Sequence, residues 1–138
     1  LVLAPPLLAK LHAAIAAGHV RACHDLSEGG LAVAAAEMAF AGDLGLELDL
    51  APLPATELPA GCDPDATRLF SESCTRFLVE VAPESAAAFE AALEGVDHAA
   101  VGTVTEAPRL VVRGLRGDVL VDVDVASLRT AHAGGFHG

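Results

Sequence analysis

The chain has no tryptophan, no tyrosine and one methionine, and aromatic residues make up only 4% of its 138 residues. A hydrophobic core here must be built from Leu, Val and Ala, of which there is no shortage, since hydrophobic residues reach 53%. Basic residues are also scarce: 8 Lys and Arg stand against 19 Asp and Glu, for a formal net charge of −11. That balance excludes a nucleic-acid-binding surface, which needs clustered Lys and Arg to replace counterions. It does not exclude a nucleotide, because Mg²⁺ can bridge carboxylates to phosphates. The cysteines are three, Cys23, Cys62 and Cys74, with no C-x-x-C spacing. An odd, scattered set excludes a disulfide framework and a zinc site and fits a reducing compartment, the cytoplasm, with the thiols expected to act as small buried or half-buried hydrophobes. No uninterrupted apolar run of about 18 residues exists, so no membrane-spanning helix is expected. Also missing are a Walker A sequence, a G-x-G-x-x-G and a Gly-x-Ser-x-Gly elbow. The opening, Leu1 to Leu8, lacks the charged n-region of a signal peptide and an initiator Met. The expectation is a single domain over residues 1–138, core about 7–130, cut from a longer chain.

What is present is periodicity. Residues 5–17 read as an Ala/Leu-rich helix with Leu7, Leu8, Leu11 and Ile15 on one face, Pro5 and Pro6 in its first turn and Gly18 after it. Residues 20–24 read as a short strand. Residues 29–41 form a helix apolar on nearly every side, with Glu37 its only charge, as expected of a helix packed on more than one face. Ser27 or Asp25 is placed to cap it, and Gly42 to end it. Leu46, Leu48 and Leu50 alternate with Glu47 and Asp49 as in a half-buried strand. Residues 51–64 are a proline-rich loop, 65–72 a short helix, 76–81 a strand and 83–93 a helix. Residues 99–105, 109–113 and 118–124 are strands, with a hairpin turn at 114–117. A closing helix spans 125–132, followed by a loose tail. Single helices mixed with adjacent strands indicate an α+β fold with a mixed β-sheet and packed helices.

One segment concentrates polar chemistry where strand passes to helix: His24-Asp25-Leu26-Ser27-Glu28-Gly29-Gly30-Leu31. Asp25 can ligate Mg²⁺ or orient a water. Ser27 can donate to a phosphate oxygen, and the Gly29–Gly30 backbone can approach a ligand closely. His24 can serve as general acid or base, its free pKa lying near 6.5. The same residues also suit a plain helix start, with Asp or Ser as cap and Glu28 favourable to the helix dipole. A second segment, Leu69-Phe70-Ser71-Glu72-Ser73-Cys74-Thr75-Arg76-Phe77, offers either a polar lip to the same cleft or a loop closed by a Glu72–Arg76 ion pair. The remaining histidines, His12, His19, His98, His132 and His137, match no metal motif.

In this order and spacing, the two segments resemble the C-terminal domain of the aminoimidazole ribonucleotide synthetase superfamily, and within it the phosphoribosylformylglycinamidine synthases. Ala36-Glu37-Met38, the Leu69–Glu72 segment with Arg76 and its strand, and Val101-Gly102-Thr103-Val104 extend the likeness. It covers about residues 7–130. The resemblance implies an ATP-dependent C–N ligase of purine biosynthesis. ATP phosphorylates the amide oxygen of formylglycinamide ribonucleotide, and ammonia from a glutaminase partner displaces the phosphate to give the amidine. It further implies a cleft shared with an N-terminal ATP-binding half of the same chain, Asp25 as Mg²⁺ ligand, and a low-ranked catalytic place for His24. Ser27, Glu28, Gly29 and Gly30, with Glu72 and Ser73, would face nucleotide or phosphate. Without the N-terminal half the domain is expected to be inactive. The alternatives are a non-catalytic copy of the fold holding a nucleotide, or a sister-family kinase or selenophosphate synthetase domain.

Overall fold

The structure, a computed structural model, describes residues 4–54, 58 and 60–134. The tail from residue 135 and part of the 51–64 loop lie outside the described residues.

Four strands form a mixed sheet in the order β4-β2-β5-β6: β2 (Gly45–Asp49), β4 (Gly102–Thr105), β5 (Arg109–Arg113) and β6 (Val119–Asp124). β2 runs parallel to β5 and antiparallel to β4, and β5 and β6 make the expected hairpin. The parallel pair makes the sheet mixed, as the α+β expectation held. A separate antiparallel pair joins β1 (Val20–Asp25) to β3 (Phe77–Val81).

The alternation read in β2 places Leu48 and Leu50 in the core with Leu46 packed against it. Leu110 and Val112 of β5 complete the sheet side. Against them lies helix α2 (Gly30–Gly42), which buries Leu31, Ala34, Ala35 and Ala39. Its small side chains let it sit close to the sheet while also meeting α3 (Pro64–Phe70), α5 (Val125–Gly134) and β1. That is why it can be apolar nearly all round.

Helix α1 (Ala4–Ala16) meets α4 (Ala86–Ala92), which follows a 3₁₀ turn at Pro83–Ser85. The expected α1 stripe shifts: Leu11 and Ala14 are buried, whereas Leu8 and Ile15 are 47% and 44% exposed. The helix offers a narrower face than its leucine spacing suggested, because the small Ala14 takes the inner position. The three cysteines are exposed, contrary to expectation. Cys23 falls on the outward phase of β1, and Cys62 and Cys74 lie in connections.

Cap chemistry also differs from the sequence reading. Neither Ser27 nor Asp25 caps α2; Gly29 occupies the cap position at φ 75 with no side-chain bond to the first turn. A left-handed residue there leaves Ser27 two positions ahead of the first-turn amides. At the other end Asp43, at φ 56, rather than Gly42, is the cap residue. Helix α3 starts conventionally: Asp63 Oδ1 accepts from the Ala66 N–H at 2.9 Å, and Pro64 stands in the first turn. Asp63→Ala is therefore expected to cost about 1 kcal/mol, read by chemical denaturation.

Candidate functional site

The two polar segments meet. Leu26 donates its N–H to the Arg76 carbonyl at 3.0 Å, just beyond the β1–β3 pairing of Asp25 with Phe77. Glu72 reaches across and accepts the Gly29 N–H at 2.8 Å. Gly30 packs on the backbone at the end of α3: a Cβ there would lie 2.8 Å from both the Leu69 and the Ser71 carbonyl oxygens. Arg76 donates to the Ser71 carbonyl at 3.2 Å, and Ser73 pairs its hydroxyl with that of Ser71 at 2.7 Å. The Glu72–Arg76 ion pair is absent among the described residues, because each side chain is committed to a backbone group of the joined segments. Burial pushes the Arg76 guanidinium pKa down.

Strand alternation then sorts the octapeptide. His24 turns inward towards α2 and Asp25 outward; Leu26 enters the core, and Ser27 and Glu28 are exposed. His24, Ser27, Glu28 and Gly29 line an open cleft of 630 Å³, together with Val33 and Glu37 of α2 and Ala131 and His132 of α5. Asp25, Gly30, Glu72 and Ser73 do not line it. Gly30 is buried at the start of the helix, Glu72 holds the turn from behind, and Asp25 lies on the opposite phase of β1. No side chain caps the N-terminus of α2.

Sequence reasoning missed Glu37 and His132 as cleft residues. The signal for Glu37 was legible: a lone carboxylate in an apolar helix requires a partner. Its partner is His24, whose Nε2 lies 2.6 Å from Glu37 Oε2. His24 Nδ1 lies 2.6 Å from the Asp25 carbonyl oxygen. His132 comes from α5, where Arg129 is anchored to the Phe40 carbonyl and Asp43, and its ring stacks obliquely 5.1 Å from Phe40. Nothing in the local sequence signals that packing.

Both nitrogens of His24 face acceptors, an arrangement that the imidazolium satisfies completely. Its pKa is accordingly held above the ordinary histidine value, by the Asp25 carbonyl first and by Glu37, against partial burial. A charge favoured in the folded state stabilises the fold fully below the free-histidine pKa of about 6.5 and fades as pH rises through the higher folded value. Thermal unfolding should show a loss of Tm above pH 6.5 that is smaller in His24→Asn than in the unaltered chain.

Residues 1–114 match the family described as AIR synthase related protein, C-terminal domain. A phosphoribosylformylglycinamidine synthase subunit PurL from Limosilactobacillus reuteri is 46% identical over 102 residues, covering 74% of this chain and 12% of the relative. Among solved structures, Thermotoga maritima PurL complexed with ATP superimposes with a TM-score of 0.76 at 27% identity, over 89% of this chain and 21% of that one. Its complex with FGAR gives 0.75 at 29% identity over 89% and 20% of the two chains, and the Thermotoga PurLQS structure 0.76 at 27% over 89% and 21%. Escherichia coli HypE, a hydrogenase maturation protein, gives 0.67 at 26% identity over 87% of this chain and 39% of that one. The chain thus spans about an eighth of the length of the curated relative.

Proposed function

Because the chain belongs to the family of AIR synthase related C-terminal domains, we propose that it is the C-terminal domain of an ATP-dependent phosphoribosylformylglycinamidine synthase of purine biosynthesis. The observation that carries this is the cleft: Ser27, Glu28 and Gly29 line it beside a helix N-terminus that no side chain caps, in a fold shared with a PurL solved with ATP. The synthase relative also favours this reading over a kinase, a selenophosphate synthetase or a non-catalytic copy.

In this reading the domain forms one wall of the site, and the N-terminal ATP-binding half of a longer chain forms the other. Ser27 donates its hydroxyl to a phosphate oxygen, and Gly29 lets the ligand approach the backbone. Glu72 acts one step removed, fixing Gly29, and Ser73 belongs to that support. Both nitrogens of His24 are engaged within the chain, so it serves as a strut of the wall rather than as a free base. A glutaminase partner supplies ammonia, in keeping with the likeness to the PurLQS structure. The expected setting is the cytoplasm; among the described residues no helix is long and apolar enough to cross a membrane.

The fit to Mg²⁺ is partial. Among the described residues no group of three His, Cys, Asp or Glu side chains is placed to hold an ion. Magnesium asks for near-octahedral oxygen ligation, commonly one or two carboxylates with phosphate oxygens. Asp25 and Glu28 are both exposed, but no third ligand stands with them and the described residues do not make a metal site alone, so no step is assigned to the ion.

The test is turnover of FGAR by the synthase chain carrying this domain, with ATP, magnesium and ammonium. Ser27→Ala is expected to lower kcat/KM by about tenfold or more, the loss of one charge-assisted contact. Turnover untouched by this change would remove the cleft from the active site; absence of turnover in the unaltered chain would move it to a sister activity.

A further inference from the structure

We infer that Glu37 is a positioning residue of the cleft, fixing His24 and through it the Asp25–Gly29 turn that presents Ser27 and Glu28. The inference rests on reading that cleft as a ligand site. Glu37 lies seven residues into α2, two helical turns from Gly30, on the side that meets β1. Its side chain is 30% exposed in a helix with no other charge. One oxygen takes the Nε2 position of His24 at 2.6 Å; the other faces His132 Nδ1 at 3.7 Å. The imidazole passes the constraint on, since its Nδ1 engages the carbonyl of Asp25, the last residue of β1, at 2.6 Å.

The turn is thus pinned at three points. Glu37 and His24 hold the Asp25 carbonyl, Arg76 holds the Leu26 N–H, and Glu72 holds the Gly29 N–H. Between the pins, Ser27 and Glu28 are exposed and make no side-chain hydrogen bond among the described residues. A turn fixed at its ends with its polar side chains uncommitted is arranged for presentation.

Amide hydrogen exchange on the full 138-residue chain tests this. In Glu37→Leu, exchange at the bonded amides of Leu26 and Gly29 should rise about tenfold or more, with Leu48 and Val112 of the sheet unchanged. Glu37→Gln, whose amide oxygen still accepts the Nε2–H, should restore the slow pattern. In the unaltered chain the His24 Nε2 proton should appear as a slowly exchanging downfield resonance, which keeps the test decisive if the leucine variant fails to fold. Unchanged exchange at Leu26 and Gly29, an equal rise in the sheet, a glutamine variant that does not restore, or a rapidly exchanging Nε2 proton would each overturn the assignment. In the synthase assay, Glu37→Leu should lose turnover and Glu37→Gln recover it. If the Ser27 change leaves turnover intact while the exchange results hold, the cleft's proposed function fails and the positioning role of Glu37 stands.

Discussion

Gly30→Ala should destabilise the domain by about 3 kcal/mol, the sum of a left-handed backbone penalty and local overpacking. Gly30 sits at φ 62, where an L side chain is strained in any surroundings. Space is also lacking: the new methyl would lie 2.8 Å from the Leu69 and Ser71 carbonyl oxygens and 2.9 Å from the Phe70 carbonyl carbon. All three are backbone atoms, so no rotamer change relieves the contact, and α2 must move away from α3. That displacement takes Gly29 away from Glu72, undoing the bond that joins the two polar segments. Urea denaturation measures the stability loss. Gly42→Ala, at the far end of the same helix with open space around it, is the control and should be neutral or slightly stabilising. A Gly30 variant within about 0.5 kcal/mol of the unaltered chain, the range of surface changes, would mean that the helix start is not wedged against α3.

Gly30 also marks what could be read from the sequence and what could not. The position and type of the elements followed from local periodicity: the Leu46-Leu48-Leu50 alternation produced β2, and the apolar stretch after Gly29 produced α2. Local chemistry also identified the two polar segments as the places to look. What local pattern could not supply is the partner of each group, because partners come from distant segments. Glu72 was paired in sequence with Arg76, four residues away, yet it bonds Gly29, 43 residues away. Ser27 fitted a cap by residue type, but the left-handed Gly29 took that position. Asp25 and His24 are neighbours in sequence, and strand alternation sends them to opposite faces, which separates the expected metal ligand from the cleft. His132 entered the cleft wall through the docking of α5, set by Arg129 on the end of α2.

Leu26→Ala should cost about 3 kcal/mol, and its effect should reach the cleft. Leu26 is the apolar member of the octapeptide, 4% exposed, and clusters with Leu31, Ala34, Ala35, Leu48, Leu50, Leu69, Leu110 and Val112. That cluster contains no aromatic side chain, so each leucine supplies a large share of its volume. Three of the neighbours are already alanine or valine, and the surrounding helix and sheet are held by backbone bonds. A cavity left by Leu26 would therefore close poorly, which is the condition for the upper part of the leucine-to-alanine range. The chain around it carries Asp25 and Ser27 on the outward phase, so the buried side chain anchors the turn that presents them. Denaturation should show the full loss, whereas Leu8→Ala, at a side chain 47% exposed, should stay within about 0.5 kcal/mol. Amide exchange at Gly29, whose N–H is bonded to Glu72, should rise by more than the global loss alone accounts for. If that amide tracked global stability and nothing more, Leu26 would be an ordinary core residue and the turn would owe its shape to the pins at Glu37, Arg76 and Glu72.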